Sequence, residues 1–242
     1  MHILITRPKT QANKTATALQ QRGHGFTIEP MLQINSIPSP LPTGRFDALI
    51  VTSINALPTL DINWPKHGRA TVPVLATGAA TASAARKMGF KNSQQVPDTT
   101  AASSIDLIEA VPDWLRQNNL TDSAHLLYPS AETVARDVVA LLANKAISCH
   151  QWAVYRAVPA ARFTDPTKTA LNRGEIDAVL LYSKRTAHTF VQLMREAEIS
   201  MTGLRAYVLS HDILESLPQE MKALAHSANQ PDEDSLLDLI VA

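Results

Sequence analysis

The sequence predicts an α/β protein built from two mostly parallel sheets, each the centre of its own lobe. Three observations lead there. Short, almost wholly apolar runs alternate with longer stretches of helical period, the pattern of buried parallel strands joined by crossover helices. The 242 residues suit two domains of about 100–130 residues better than one. Two strand-to-turn units also recur, in order, along the chain.

Taken in order, a strand at 2–6 leads through a helix at 11–22 to a second strand at 26–31. Residues 36–42 (SIPSPLP) hold three of the fifteen prolines and read as an extended connector. Strands at 47–53 and 73–77 follow, then helices at 79–88 and 102–109. A strand at 125–128, a helix at 133–143 and a strand at 149–156 complete the middle of the chain. The last part runs strand 177–183, helix 186–196, strand 205–210 and helix 213–225. Residues 232–241 close the chain as a helix that Asp232 is suited to cap.

The repeat sets the domain organisation. Asp47-Ala-Leu-Ile-Val-Thr-Ser53 returns as Asp177-Ala-Val-Leu-Leu-Tyr-Ser183, and each copy is followed by a second strand, ending in Thr77-Gly78 or in Ser210. His2-Ile-Leu-Ile-Thr-Arg-Pro8 is echoed by His125-Leu-Leu-Tyr-Pro129. The middle copy runs the same cycle from a different starting point. A discontinuous lobe at 1–34 plus 158–242 is therefore expected, with a permuted lobe inserted at 39–150. Segments 33–38 and 151–157 would run side by side as a β-ladder hinge between them.

Composition narrows the function. The 22 basic and 22 acidic residues balance, which argues against a broad nucleic-acid surface. The N-terminus lacks the basic and long apolar regions of a signal peptide, and no stretch approaches the roughly 20 apolar residues of a membrane span. A cytoplasmic protein without membrane attachment is expected. The single cysteine, Cys149, excludes a disulfide framework within the chain and reads as a buried thiol. The eight histidines lack HxH or HExxH spacing, so no metal site is expected. Neither GxGxxG, GxxxxGK[ST] nor GxSxG occurs.

In open parallel sheets, ligands bind beyond the carboxyl ends of the strands. Here those ends read Thr6-Arg7, Thr52-Ser53, Thr77-Gly78, Pro129-Ser130, Ser183-Lys184 and Ser210-His211. Small hydroxyl residues or glycine just before a helix leave N–H groups that can hold carboxylates without formal charge. At any one position the plainer alternative is a helix N-cap. Many such ends together suit a polycarboxylate ligand and a reaction driven by positioning and hydrogen bonding.

Four segments resemble the uroporphyrinogen-III synthase family: the opening Ile5-Thr-Arg-Pro8 before its helix, Asp47-Ala-Leu-Ile-Val-Thr-Ser53, Ala76-Thr-Gly-Ala-Ala-Thr-Ala82 followed by Gly89, and Val154-Tyr155-Arg156. Arg136-Asp137, Ser183 and Asp234-Ser-Leu-Leu237 add weaker matches, all in family order. The resemblance implies two flavodoxin-like lobes joined by a two-stranded ladder. It also implies that linear hydroxymethylbilane loses water and closes to uroporphyrinogen III, with ring D inverted through a spiro intermediate and no metal or cofactor. By that resemblance Tyr155 is the donor to the leaving hydroxyl; a phenol of pKa ~10 is protonated at neutral pH. The substrate-binding candidates are Arg7, Thr52, Ser53, Gly78, Ala79, Thr81, Ser130, Ser183, Lys184 and Ser210. A monomer is implied, in transient contact with the upstream hydroxymethylbilane synthase.

Two segments depart from the family pattern. Ser210-His-Asp-Ile-Leu214 replaces a second Gly-x-x-Thr-Ala turn, and Glu132 places an acid in the middle turn, near an anionic ligand. The competing readings are a non-catalytic two-lobe binding module and a degenerate, regulatory relative of the synthases.

Overall fold

The first strand shows why the chain folds as it does. Ile3, Leu4 and Ile5 are all fully buried, so this strand is covered on both faces, as the continuous apolar run requires. The computed structural model describes residues 1–96, 104–121, 123–134 and 136–240. In chain order it contains β1 (His2–Ile5), α1 (Lys9–Gln21), β2 (Gly25–Ile28), β3 (Leu32–Ser36), β4 (Ala48–Val51), α2 (Leu57–Asn63), β5 (Val74–Ala76) and α3 (Ala79–Lys87). These are followed by β6 (Ser93–Gln95), α4 (Ser104–Gln117), β7 (His125–Ala131), α5 (Val138–Ala143), β8 (Ser148–Pro159) and α6 (Asp165–Asn172). The chain ends with β9 (Ala178–Leu181), α7 (Lys184–Glu196), β10 (Arg205–Val208), α8 (His211–Glu215), α9 (Gln219–Lys222), β11 (Ala225–Ser227) and α10 (Glu233–Leu237).

The chain divides into two units, one comprising 1–33 and 158–242, the other 34–157. Among the described residues, the sheet of the first unit has the order β2-β1-β9-β10-β11, all neighbours parallel. Counting strands within the unit, that is 2-1-3-4-5, the flavodoxin-like doubly wound order. The second sheet runs β3-β8-β7-β4-β5-β6. If counting starts at β7, its parallel part β8-β7-β4-β5-β6 has the same 2-1-3-4-5 order, entered at a different strand. The edge strand β3 runs against β8: Ile37 N–H donates to the Val154 carbonyl and Ala160 N–H to that of Met31, so the numbering falls along one strand as it rises along the other.

Each sheet carries apolar clusters on its two faces. In the first unit Leu4, Val179, Leu181 and Val208 pack on α7, while Ile3, Ile5, Leu180 and Tyr207 pack on α1 and α10. In the second, Ile50, Leu126 and Tyr128 pack on α4 and α5, and Leu49, Val51, Leu127 and Trp152 on α2. Full burial of one Leu or Ile contributes about 1.5–3 kcal/mol, and strands this apolar have no solvent-facing alternative.

Several elements differ from the sequence expectation, each for an identifiable reason. The strand expected to end at Tyr128 continues to Ala131 through Pro129. Its neighbour β4 stops pairing at Leu127, so the missing proline N–H falls where that side needs no ladder bond. The helix expected at 133–143 begins only at Val138, because Asp137 caps it by accepting the Ala140 N–H at 2.9 Å; residue 135 lies outside the described residues. The helix expected at 213–225 is interrupted at Pro218, which precedes α9, and its end becomes β11. Helix α4 continues past the expected 102–109 to Gln117 with Pro112 inside it, and residues 102 and 103 lie outside the described residues. The final helix spans Glu233–Leu237 rather than 232–241, with Asp232 accepting the Ser235 N–H at 2.8 Å; residue 241 is outside the described residues. Helices α2 and α6 and the short polar edge strands β6 and β11 were not expected.

Candidate functional site

In the second unit the strand ends converge on a bonded set of hydroxyls. Thr52, just past β4, has its Oγ1 3.2 Å from the Tyr128 phenol oxygen, and its carbonyl accepts from Thr77 Oγ1 at 3.1 Å. These bonds tie the ends of β4 and β5 to the middle of β7. Burial pushes the Tyr128 phenol up from its ordinary pKa, against the lowering effect of the Thr52 bond. Ser53 caps the short 3-10 turn at Ile54–Ala56 by accepting the Asn55 N–H at 3.2 Å.

Gly78 heads α3 with an extended backbone (φ −150°) and supplies no side-chain cap. A Cβ there would meet nothing within 4 Å, so the fold does not demand glycine at this point. Its effect is to leave the start of α3 open. Ala79 and Ala80 are exposed beside it, while Thr81 turns inward and is buried.

Tyr155 lies near the end of β8, 8% exposed, in the apolar cluster with Trp152 and Val154. Next to it, Arg156 Nε and Nη2 donate to the Glu132 carboxylate at 2.6 and 2.7 Å. Those hydrogen bonds hold the Glu132 carboxyl below its usual range. The acid that sequence alone set against an anionic ligand is therefore already neutralised by a neighbour. Ser130 was expected in a turn but sits within β7, 2% exposed, donating to the Ala131 carbonyl and accepting from Gln151 Nε2 at 3.0 Å.

The equivalent edge of the first unit is differently occupied. Thr6 is buried, its hydroxyl bonded to the Leu180 carbonyl. Arg7 stacks on the Tyr182 ring at 4.2 Å and donates to Glu233 at 2.7 Å, to Gln11 at 2.8 Å and to Thr15 at 3.2 Å. This side chain fastens α10 to the end of β1. Burial pulls the Glu233 carboxyl upward, but the Thr15 bond together with Arg7 and Lys14 outweighs it, and its pKa falls. The Tyr182 hydroxyl is buried without a partner in hydrogen-bond geometry, although Thr15 and Arg7 lie beside it, and burial raises its pKa.

Ser183 caps α7 by accepting the Thr186 N–H at 3.1 Å, and Lys184 pairs with Asp212 at 3.2 Å. Ser210 heads the five-residue α8 without a side-chain cap.

Sequence reasoning named Thr52, Ser53, Gly78 and Ala79, which the structure groups at the ends of β4 and β5. It missed Tyr128 and Thr77 as members of that group. In the sequence Thr77 reads as a strand end and Tyr128 as the last residue of its strand, but neither is counted among the binding candidates. Cys149 is half-buried, with its thiol pushed up to about 12 by burial, so it is a poor nucleophile. Among the described residues no group of three or more His, Cys, Asp or Glu could hold a metal ion, and no helix is long and apolar enough to cross a membrane. One groove in the first unit is lined by residues such as His188, Arg195 and Pro218, and one in the second runs along α4 at Asp106, Asp113 and Trp114. Neither includes a candidate site residue.

Two sheets with one flavodoxin-like strand order, entered at different strands, define the class: an α/β protein of two flavodoxin-like units. Residues 13–238 match the family model described as uroporphyrinogen-III synthase HemD, and the chain belongs to that family, lyases that cyclise hydroxymethylbilane in tetrapyrrole biosynthesis. The fold is similar to that of uroporphyrinogen-III synthetase from Helicobacter pylori, at 18% identity and TM-score 0.65, covering 98% of this chain and 97% of that one. It is also similar to a mutant uroporphyrinogen III synthase from the extremely thermophilic bacterium Thermus thermophilus, at 15% identity and TM-score 0.55, covering 98% and 96%. No curated protein sequence matches the chain.

Proposed function

We propose that this chain converts hydroxymethylbilane to uroporphyrinogen III by loss of water and inversion of ring D, without a cofactor, and that Tyr155 donates a hydrogen bond to the departing hydroxyl. The observation that carries the reading is the family match across residues 13–238. The electron-rich pyrrole assists departure of the hydroxyl, so the protein's task is to donate one hydrogen bond and hold the chain bent.

The open start of α3 at Gly78, Ala79 and Thr81, with Thr52 and Ser53 beside it, suits the acetate and propionate groups of the substrate. Ser183, Lys184 and Ser210 are the corresponding positions of the first unit; Lys184 takes a smaller share, because Asp212 already pairs with it. Arg7 and Ser130 act by holding structure, given how many internal bonds each makes. The same reading makes the protein a cytoplasmic monomer that receives its labile substrate in transient contact with hydroxymethylbilane synthase; it rests on the biosynthetic role.

The test is incubation with enzymatically generated hydroxymethylbilane and separation of the products. The expected product is isomer III. Isomer I alone, the product of unassisted closure, would refute the proposal.

A further inference from the structure

Strand β8 does not carry Tyr155 in simple alternation. Pro129 pairs with Trp152 and Ser130 with Ala153, but the next pair is Ala131 with Tyr155. Val154 is thus the extra residue of a bulge. An inserted residue sends every side chain after it to the other face of the sheet. Trp152, Val154 and Tyr155 consequently join one apolar cluster, whereas strict alternation would leave Tyr155 on the face of Gln151 and Ala153. The bulge aims the phenol.

Glu132 fastens the strand immediately after that shift. Its N–H donates to the Tyr155 carbonyl at 2.8 Å, and its carboxylate receives both donors of the Arg156 fork. One residue therefore grips the backbone of Tyr155 and the side chain of its neighbour. The side chains of Arg156 and Glu132 are 57% and 44% exposed, and such surface pairs contribute little to overall stability. Their position carries the meaning: they lock the point where the ladder has changed register.

We propose that Glu132 and Arg156 form a clamp that positions Tyr155 for the reaction, acting through its backbone without touching the reacting atoms. The proposal rests on the reading of Tyr155 as donor. In the full-length protein, Glu132→Gln and Arg156→Gln are each expected to lower kcat about three- to tenfold, since small misplacements of a reacting group are costly. KM should stay within about twofold, because the clamp holds no substrate. The reversed pair, Glu132→Arg with Arg156→Glu, should recover part of the loss. In a Tyr155→Phe background Glu132→Gln should have no further effect, because two residues acting through one group do not add. The tyrosine ring signals of Tyr155 in NMR spectra should shift or broaden in both single variants, at unchanged melting temperature.

Full turnover in the clamp variants beside a crippled Tyr155→Phe overturns the clamp alone. A rise in KM at constant kcat also overturns it, by making Arg156 a substrate contact. Full turnover in Tyr155→Phe overturns the donor reading, and the clamp's purpose with it.

Discussion

The two units share one strand order, treat one pair of equivalent positions alike and differ at two others. After the third strand of each cycle stands a serine, Ser53 or Ser183, and each accepts an N–H from its own turn. After the fourth strand the units part. The second unit has Gly78, uncapped and with open space, leading into the nine-residue α3. The first has Ser210, leading into the five-residue α8, whose exposed Asp212 pairs with Lys184. After the first strand, the first unit spends its arginine on a dense internal network with Glu233, Gln11 and Thr15. The second unit instead continues its strand into a bulge beside Tyr155. On the proposed function the labour divides at these two places: Arg7 of the first unit is engaged from within, while the start of the longer helix α3 in the second is left for the ligand.

The largest expected effect tests which unit carries the chemistry. Tyr155→Phe should lower turnover by about 10²–10⁴-fold, the usual contribution of a positioned proton donor, with circular dichroism unchanged. Retained turnover would break the division at its centre. Next, Gly78→Asp, where a Cβ meets nothing within 4 Å, would place a carboxylate at the open start of α3 and should raise KM roughly tenfold, equivalent to about 1.4 kcal/mol. Ser210→Asp, at the matching position of the other unit, should change KM less than about threefold, by the same arithmetic under roughly 0.7 kcal/mol. Equal effects would erase the asymmetry.

Much of this was legible in the residues themselves. Fully apolar runs such as Ile3 to Ile5 and Ala48 to Val51 can only be strands buried on both faces, and Asp47 to Ser53 and Asp177 to Ser183, alike in sequence, hold the same place in the strand order of their sheets. The polar edge strands Ser93–Gln95 and Ala225–Ser227 were not legible, since their ladder partners, not their side chains, make them strands. Thr52 and Gly78 could be read from their place at strand ends. The bonding of Thr52 to Tyr128 and the engagement of Arg7 by Glu233 could not, because each joins residues far apart in sequence. An arginine after a strand looks the same whether it faces a ligand or a glutamate 226 positions away.

Smaller effects sharpen the first unit's side of the comparison. Arg7→Gln should cost about 1–3 kcal/mol of stability in urea denaturation, by removing one of the partners of the largely buried Glu233, while KM changes little. A strong KM effect with unchanged stability would return Arg7 to the binding edge. The pH dependence should be smaller still. The Glu233 pKa is lowered in the folded protein, so its contribution is complete above the ordinary glutamate value of about 4.3 and lost as pH falls through the lower folded value. The urea midpoint of the parent protein should therefore fall more steeply in acid than that of Glu233→Gln.

The division of labour is tested most directly by amide NMR shifts on titration with uroporphyrinogen III under anaerobic conditions. The N–H signals of Ala79, Ala80 and Thr81 should move more than those of Lys184, Arg185 and Thr186, where Ser183 already caps the helix start. Larger movements at 184–186, or none at 79–81, would contradict it.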